Sequence, residues 1–124
     1  MGYESRLYIM RRAEIVASNG DIRIWGDPFA EFDLCKMGYE YNAGKWFREI
    51  FETDIDFDLW VDGKHTREDC YGDTCQYADI DTVIDWLELS EVVKEYWRAE
   101  ILLRFLKTLK EAGHDDLIVV HYGY

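Results

Sequence analysis

The sequence predicts an α+β fold: a mostly antiparallel sheet of about five strands, with one long helix and one or two short helices packed on it. Three observations carry that expectation. Apolar residues alternate with a period of two through much of the first half, a stripe at helical spacing runs from Val92 to Leu109, and an unbroken apolar run, Leu117 to Val120, comes after the stripe. The 124 residues suit a single domain spanning residues 1–124. No repeat, low-complexity tract or Pro/Ser-rich linker divides it, and the single proline, Pro28, sits in a Gly26-Asp27-Pro28 turn.

From Ser5 to Met10, Leu7 and Ile9 alternate with Arg6 and Tyr8, which predicts a half-buried strand. Ile15 to Ser18, Asn19-Gly20 and Ile22 to Trp25 then form a hairpin pattern, because Asn-Gly supplies the positive φ angles of a type I′ turn. Ala30 to Met37 alternates again, with Phe32 and Leu34 opposite Glu31 and Asp33, and Gly38 and Gly44 mark a loop. Lys45 to Phe51 suits a short helix presenting Trp46, Phe47, Ile50 and Phe51. The clearest strand pattern comes next, where Ile55, Phe57, Leu59 and Val61 alternate with Asp54, Asp56, Asp58, Trp60 and Asp62 before Asp62-Gly63 turns the chain back.

Thr82 and Asp85 have capping-box spacing and predict a short helix through Val83, Ile84, Trp86 and Leu87. Ser90 is placed to cap the next helix, whose core side is Val92, Tyr96, Ala99, Leu103 and Leu106, widened by Val93, Leu102, Phe105 and Leu109. Glu100 and Arg104 are a favourable i,i+4 pair on the solvated side, and Gly113 suits the position just past the helix end. Leu117 to Val120 has the pattern of a central strand covered on both faces.

Composition narrows the function classes. Apolar residues make up 48% and aromatics 16% of the chain, which excludes a disordered acidic tail. There are 26 acids against 14 bases, a net charge of -12, with an estimated pI of about 4.5. The excess is uneven: Glu49 to Glu91 holds 14 acids and 2 bases, and the remainder holds 12 of each. Direct nucleic-acid binding needs clustered Lys and Arg and is therefore disfavoured, whereas a basic protein is the expected partner. With neither a membrane-length apolar stretch nor a basic-then-apolar N-terminus, a cytoplasmic protein without membrane association is expected. The three cysteines, Cys35, Cys70 and Cys75, are expected to be free thiols. Nothing in the sequence sets the oligomeric state.

Alternation places Asp54, Asp56, Asp58 and Asp62 on one side of a strand with Trp60, about 6.6 Å apart per two residues. Glu68, Asp69, Tyr71 and Asp73 on the next loop, and Asp79, Asp81 and Asp85 beyond it, complete a candidate partner-binding surface if they lie beside that strand. One reading is a solvated face that serves solubility. Another is a nucleic-acid-mimicking face, in which a row of carboxylates at roughly half the axial charge density of a phosphate strand competes for a basic channel. A third is a metal site, although Asp54-x-Asp56-x-Asp58 has Leu59 where an EF-hand requires Gly, and the register from Asp58 places Trp60 where an oxygen ligand is needed. His65, Cys70 and Cys75 lack Cys-x-x-Cys spacing, so no metal or other cofactor is assigned.

Catalytic motifs are absent: no phosphate-cradling Gly-rich loop, no Gly-x-Ser-x-Gly, and only Ser5, Ser18 and Ser90 as serines. Cys35 or Cys70 with His65, His114 or His121 is a formal nucleophile pair that nothing in the sequence brings together. A non-enzymatic protein with no catalytic residue is expected. Trp60, Tyr71 and Tyr77, with Tyr3, Tyr39, Tyr41, Tyr122 and Tyr124, also allow a small-ligand or nucleotide pocket, against the plainer role of core packing.

Met1-Gly2-Tyr3-Glu4-Ser5-Arg6-Leu7-Tyr8-Ile9, Phe32-Asp33-Leu34-Cys35-Lys36, Asp69-x-Tyr71-Gly72-Asp73 and His121-Tyr122-Gly123-Tyr124 together resemble small acidic proteins encoded by bacteriophages of Gram-positive hosts. The resemblance implies no catalytic residue. It implies a setting in which such proteins inhibit host defence, as anti-CRISPR proteins and anti-restriction DNA mimics do. The corresponding expectation is an inhibitor that binds a defence nuclease in the host cytoplasm. The alternatives are a nucleotide-sequestering module and an accessory protein whose acidity serves only solubility.

Overall fold

The computed structural model describes residues 3–16, 20, 22–26, 28–38, 50, 56–61, 63–66, 68, 71–72 and 75–123; within these, residues 3–4, 13–16, 22–26, 34–38, 56–61 and 64–65 are described by their backbone alone. The elements in chain order are β1 (Tyr3–Arg11), β2 (Ala13–Val16), β3 (Ile22–Gly26), β4 (Ala30–Gly38), β5 (Asp56–Val61), β6 (Lys64–Thr66), β7 (Gln76–Asp79), α1 (Ile80–Leu89), α2 (Val92–Glu95), α3 (Trp97–Glu111) and β8 (Leu117–Gly123). The fold is α+β, as expected, with the strands divided between two sheets. The principal sheet is antiparallel throughout, in the order β4-β1-β8-β7, and so has four strands where about five were expected. The second sheet, in the order β2-β3-β5-β6, is mixed, because β3 and β5 run parallel.

β1 and β8 occupy the middle of the principal sheet, and their sequences account for that. Leu117 to Val120 is buried along its length, as an unbroken apolar run in a central strand must be. β1 departs from its half-buried expectation, since Leu7, Tyr8, Ile9 and Met10 are all buried. Leu7 and Ile9 join Ala78, Leu117 and Val119 in a cluster with Ile80, Val83, Leu87, Ala99, Leu102 and Leu106 from the helices. Tyr8 and Met10 join Cys75, Tyr77, Ile118 and Val120 in a second cluster on the opposite face. Alternation in β1 therefore separates two buried faces, and Tyr8 counts as core because its ring is buried while its hydroxyl finds a polar partner.

Two connections differ in how well local chemistry anticipates them. Val61 pairs with Lys64 across Asp62-Gly63, the expected two-residue reversal. Val16 pairs with Ile22, leaving residues 17–21 between the last paired positions. The strands thus pair as a hairpin and Gly20 has φ +91°, while the rest of the expected Asn19-Gly20 turn lies outside the described residues. The helix expected at Lys45 to Phe51 lies outside the described residues, except that Ile50 sits in a turn and packs against the helix-side core.

α1 begins at Ile80 with Asp79 as N-cap residue, so the capping box expected at Thr82 does not form. Burial decides the boundary: Ile80, Val83, Ile84 and Leu87 are spaced i, i+3, i+4, i+7 and all are buried, which carries the helix one turn further back. Glu91 is the N-cap residue of α2, and Ser90, one position earlier, bonds the helix start instead of capping it, its Oγ accepting the Val92 N–H at 3.2 Å. The single long helix expected from Val92 is interrupted at Tyr96, whose φ of -126° and ψ of 115° are extended, leaving α2 as one turn and α3 as 15 residues.

α3 closes as the sequence predicts. The Gly113 N–H donates to the Lys110 carbonyl at 2.9 Å and the His114 N–H to the Leu109 carbonyl at 3.3 Å, the paired bonds of a Schellman motif. Gly113 has φ +92° and open space where a Cβ would sit. Gly113→Ala is expected to destabilise by about 1 kcal/mol through backbone strain alone. Chemical denaturation would show it as a lower midpoint with unchanged slope.

Candidate acidic interface

The carboxylates expected to form one surface fall into two groups. Those of α1 are exposed, and most have a basic partner from within the fold. Asp79, at the N-cap, lies 3.4 Å from Arg12, whose guanidinium also stacks over Tyr77 at 5.5 Å. Asp81 accepts a hydrogen bond from the Lys110 Nζ of α3. Glu88 pairs with Lys107 at 2.8 Å, and Glu91 with Lys94 at 3.2 Å. Asp85 is exposed, and its charge reaches Lys110 together with those of Asp81 and Asp115. The second amphipathic helix thus lays its Lys residues beside the acids of the first, and much of the charge that stands out in sequence is balanced in space.

These pairs leave a signature in pH. Lys107 is held above the ordinary lysine range by its hydrogen bond to Glu88 and then by the Glu88 charge; Lys110 is held above it by its hydrogen bond to Asp81. A cation whose pKa is raised by folding contributes stability that is complete below its unfolded value and is lost as pH rises through the raised one. The difference in melting temperature between the native chain and K107Q/K110Q is therefore expected to shrink as pH climbs past the ordinary lysine range. The effect is small, because both pairs are exposed.

The other group belongs to the second sheet. Asp56, Asp58 and Trp60 occupy alternate positions of β5, an inner strand between β3 and β6. The register sets Arg23 beside Asp56, Trp25 beside Asp58 and His65 beside Trp60. Phe57, Leu59 and Val61 take the intervening positions, level with Ile24, Gly26, Thr66 and Lys64. Asp56, Asp58 and Trp60 thus share one set of alternate positions in β5, and Phe57, Leu59 and Val61 the other. Glu68 is exposed beyond β6, where its N–H donates to Thr66 Oγ1 at 3.1 Å and its carbonyl accepts from the same hydroxyl at 2.6 Å. Tyr71 is exposed in a turn. Asp54, Asp62, Asp69 and Asp73 lie outside the described residues.

The aromatics expected to offer a nucleotide pocket divide differently. Tyr77 is buried in the core, and Tyr122 makes an edge contact with Tyr8 at 5.8 Å between ring centroids. That contact belongs to a cluster that sequence reasoning misses. The Arg6 side chain is only 12% exposed; its Nη1 donates to the Tyr8 hydroxyl at 3.1 Å, its Nε lies 3.7 Å from Glu31 and 3.9 Å from Asp33, and its guanidinium covers the Tyr122 ring at 5.6 Å. Alternation alone places Arg6 in solvent. The signal for burial is the matching pair of acids in β4, which only the β1–β4 register brings alongside.

A second missed pair is Ser5 and His121, whose Oγ and Nε2 are 3.5 Å apart across β1 and β8. Both are buried, Ser5 completely, so the pair satisfies polar groups within the sheet and presents no nucleophile to a substrate. Cys75 is buried and is not part of a disulfide. Among the described residues, no three His, Cys, Asp or Glu side chains are grouped to hold a metal ion, and no helix is long and apolar enough to cross a membrane. Compared with models of protein families, with curated proteins and with solved structures, the chain matches none.

Proposed function

We propose that this chain is a non-enzymatic inhibitor that docks on a basic surface of another protein through the acidic segment around the β5–β6 hairpin. The partner we infer is a host-defence enzyme that itself holds nucleic acid, such as a CRISPR effector or a restriction nuclease, met in the cytoplasm of a bacteriophage host. One observation supports this reading above the others: the excess of acids over bases is concentrated in one stretch of the sequence. From Glu49 to Asp73 there are nine acids and two bases, whereas the five acids from Asp79 to Glu91 include four with Arg or Lys partners in the fold.

Asp56 and Asp58 repeat at about 6.6 Å, close to every second phosphate of a nucleic-acid strand at about 3.4 Å of rise each. A row of like charges at that pitch destabilises its own strand slightly, and a basic partner relieves the repulsion. Affinity capture from a susceptible bacterial lysate tests the proposal. A retained partner that elutes with rising salt and is displaced by duplex nucleic acid supports it. Retention through high salt, or indifference to nucleic acid, refutes it.

A further inference from the structure

The outward side of α3 carries Trp97 at 59% exposure and Ile101 at 46%, one turn apart, while Ala99, Leu102 and Leu106 on its inward side are fully buried. Arg104 and Thr108, both exposed, continue the same line along the helix. Single exposed apolar side chains are ordinary on protein surfaces. Trp97 differs in being braced. The Arg98 guanidinium lies 5.2 Å from its ring centroid, and the same group donates from Nη1 to the Asp33 carbonyl of β4 at 2.8 Å. A tryptophan held in this way loses little freedom on docking, and Trp and Arg are the residues that most often anchor interfaces.

The charges bordering this side come as opposites: Glu100 with Arg104 at 2.6 Å on α3, and Glu91 with Lys94 at 3.2 Å just before it. The strip has no net charge in a chain of -12. It is also its own complement. Glu100 and Arg104 are about 6 Å apart along the helix axis. A two-fold axis crossing α3 at the level of Leu102 therefore sets each Glu100 opposite the second copy's Arg104, with the Ile101 side chains side by side and each Trp97 over the far half of the opposing helix.

We propose that a second copy of this chain docks here, α3 antiparallel against α3, in an isologous dimer. The excess negative charge elsewhere repels a second copy, so salt strengthens this contact by screening. That dependence is opposite in sign to the one expected for the acidic hairpin, and the two surfaces are tested separately.

Sedimentation equilibrium of the purified chain across concentration and salt decides it. A reversible dimer that tightens with salt is expected. W97A/I101A, which changes two exposed side chains and removes the Trp97 ring from beside Arg98, is expected to sediment as a monomer with a melting temperature lowered by only a few degrees. E100R sets like charges across the axis and is expected to weaken association about tenfold or more, and E100R/R104E to restore it. A native chain that stays monomeric to about 1 mM in high salt overturns the proposal. So does a dimer whose mass is unchanged by W97A/I101A, or one that the charge exchange does not rescue.

Discussion

Leu102→Ala is expected to lower the stability of the fold by about 3 kcal/mol. Leu102 is completely buried on the inward side of α3, in the cluster that joins this helix to α1 and to the helix-side face of β1 and β8. Removing three carbons there loses their transfer free energy and leaves a cavity whose lining comes from a sheet and a second helix, elements that cannot readily collapse to fill it. For a chain of 124 residues this corresponds to a fall in melting temperature of about 10 °C. Equilibrium denaturation of the native chain and the variant measures it, with a lower midpoint at unchanged slope expected. A change below about 1 kcal/mol would mean that α3 does not pack on the sheet through this residue.

How much of the fold is legible in the sequence depends on the range of the interactions involved. Leu117 to Val120, the Asp62-Gly63 reversal, the Glu100–Arg104 pair and the Gly113 helix end each depend on residues a few positions apart, and each stands where expected. β7 escapes notice because Gln76 to Asp79 is only four residues long and shows no sustained period; it becomes a strand by pairing with β8, far away in sequence. The division into two sheets is likewise invisible, since alternation identifies a strand without naming its neighbour.

The candidate surface shows the same limit. Counting charge along the chain joins Asp79, Asp81 and Asp85 to the β5 acids as one region. Arg12, Lys107 and Lys110 are distant in sequence and adjacent in the fold, and they balance Asp79, Glu88 and Asp81. Periodicity misplaces Arg6 in solvent for a related reason: its acids, Glu31 and Asp33, reach it only once β1 and β4 are in register. Burial of a charge is decided by partners, and partners are tertiary facts.

The second large effect concerns binding. Changing Asp54, Asp56 and Asp58 together to Asn removes three negative charges while nearly preserving shape. Capture of the partner is expected to fall at least tenfold, because carboxylates buried against a basic surface contribute charge-assisted hydrogen bonds of about 1.5–3 kcal/mol each. Folding is expected to change little, since the variant relieves the like charges of Asp56 and Asp58 along β5 but also removes the charge beside Arg23. D81N/D85N on α1 is the matched control: Asp81 is occupied by Lys110, so this variant removes charge of the same sign from a helix whose acids the fold itself largely balances.

Parallel capture from one susceptible bacterial lysate by the native chain, D54N/D56N/D58N and D81N/D85N, each eluted along a salt gradient, brings these expectations together. Docking through the acidic hairpin predicts a salt-labile partner retained by the native chain and by D81N/D85N and lost from D54N/D56N/D58N. Equal retention by the triple variant, or a partner that high salt does not release, would contradict it.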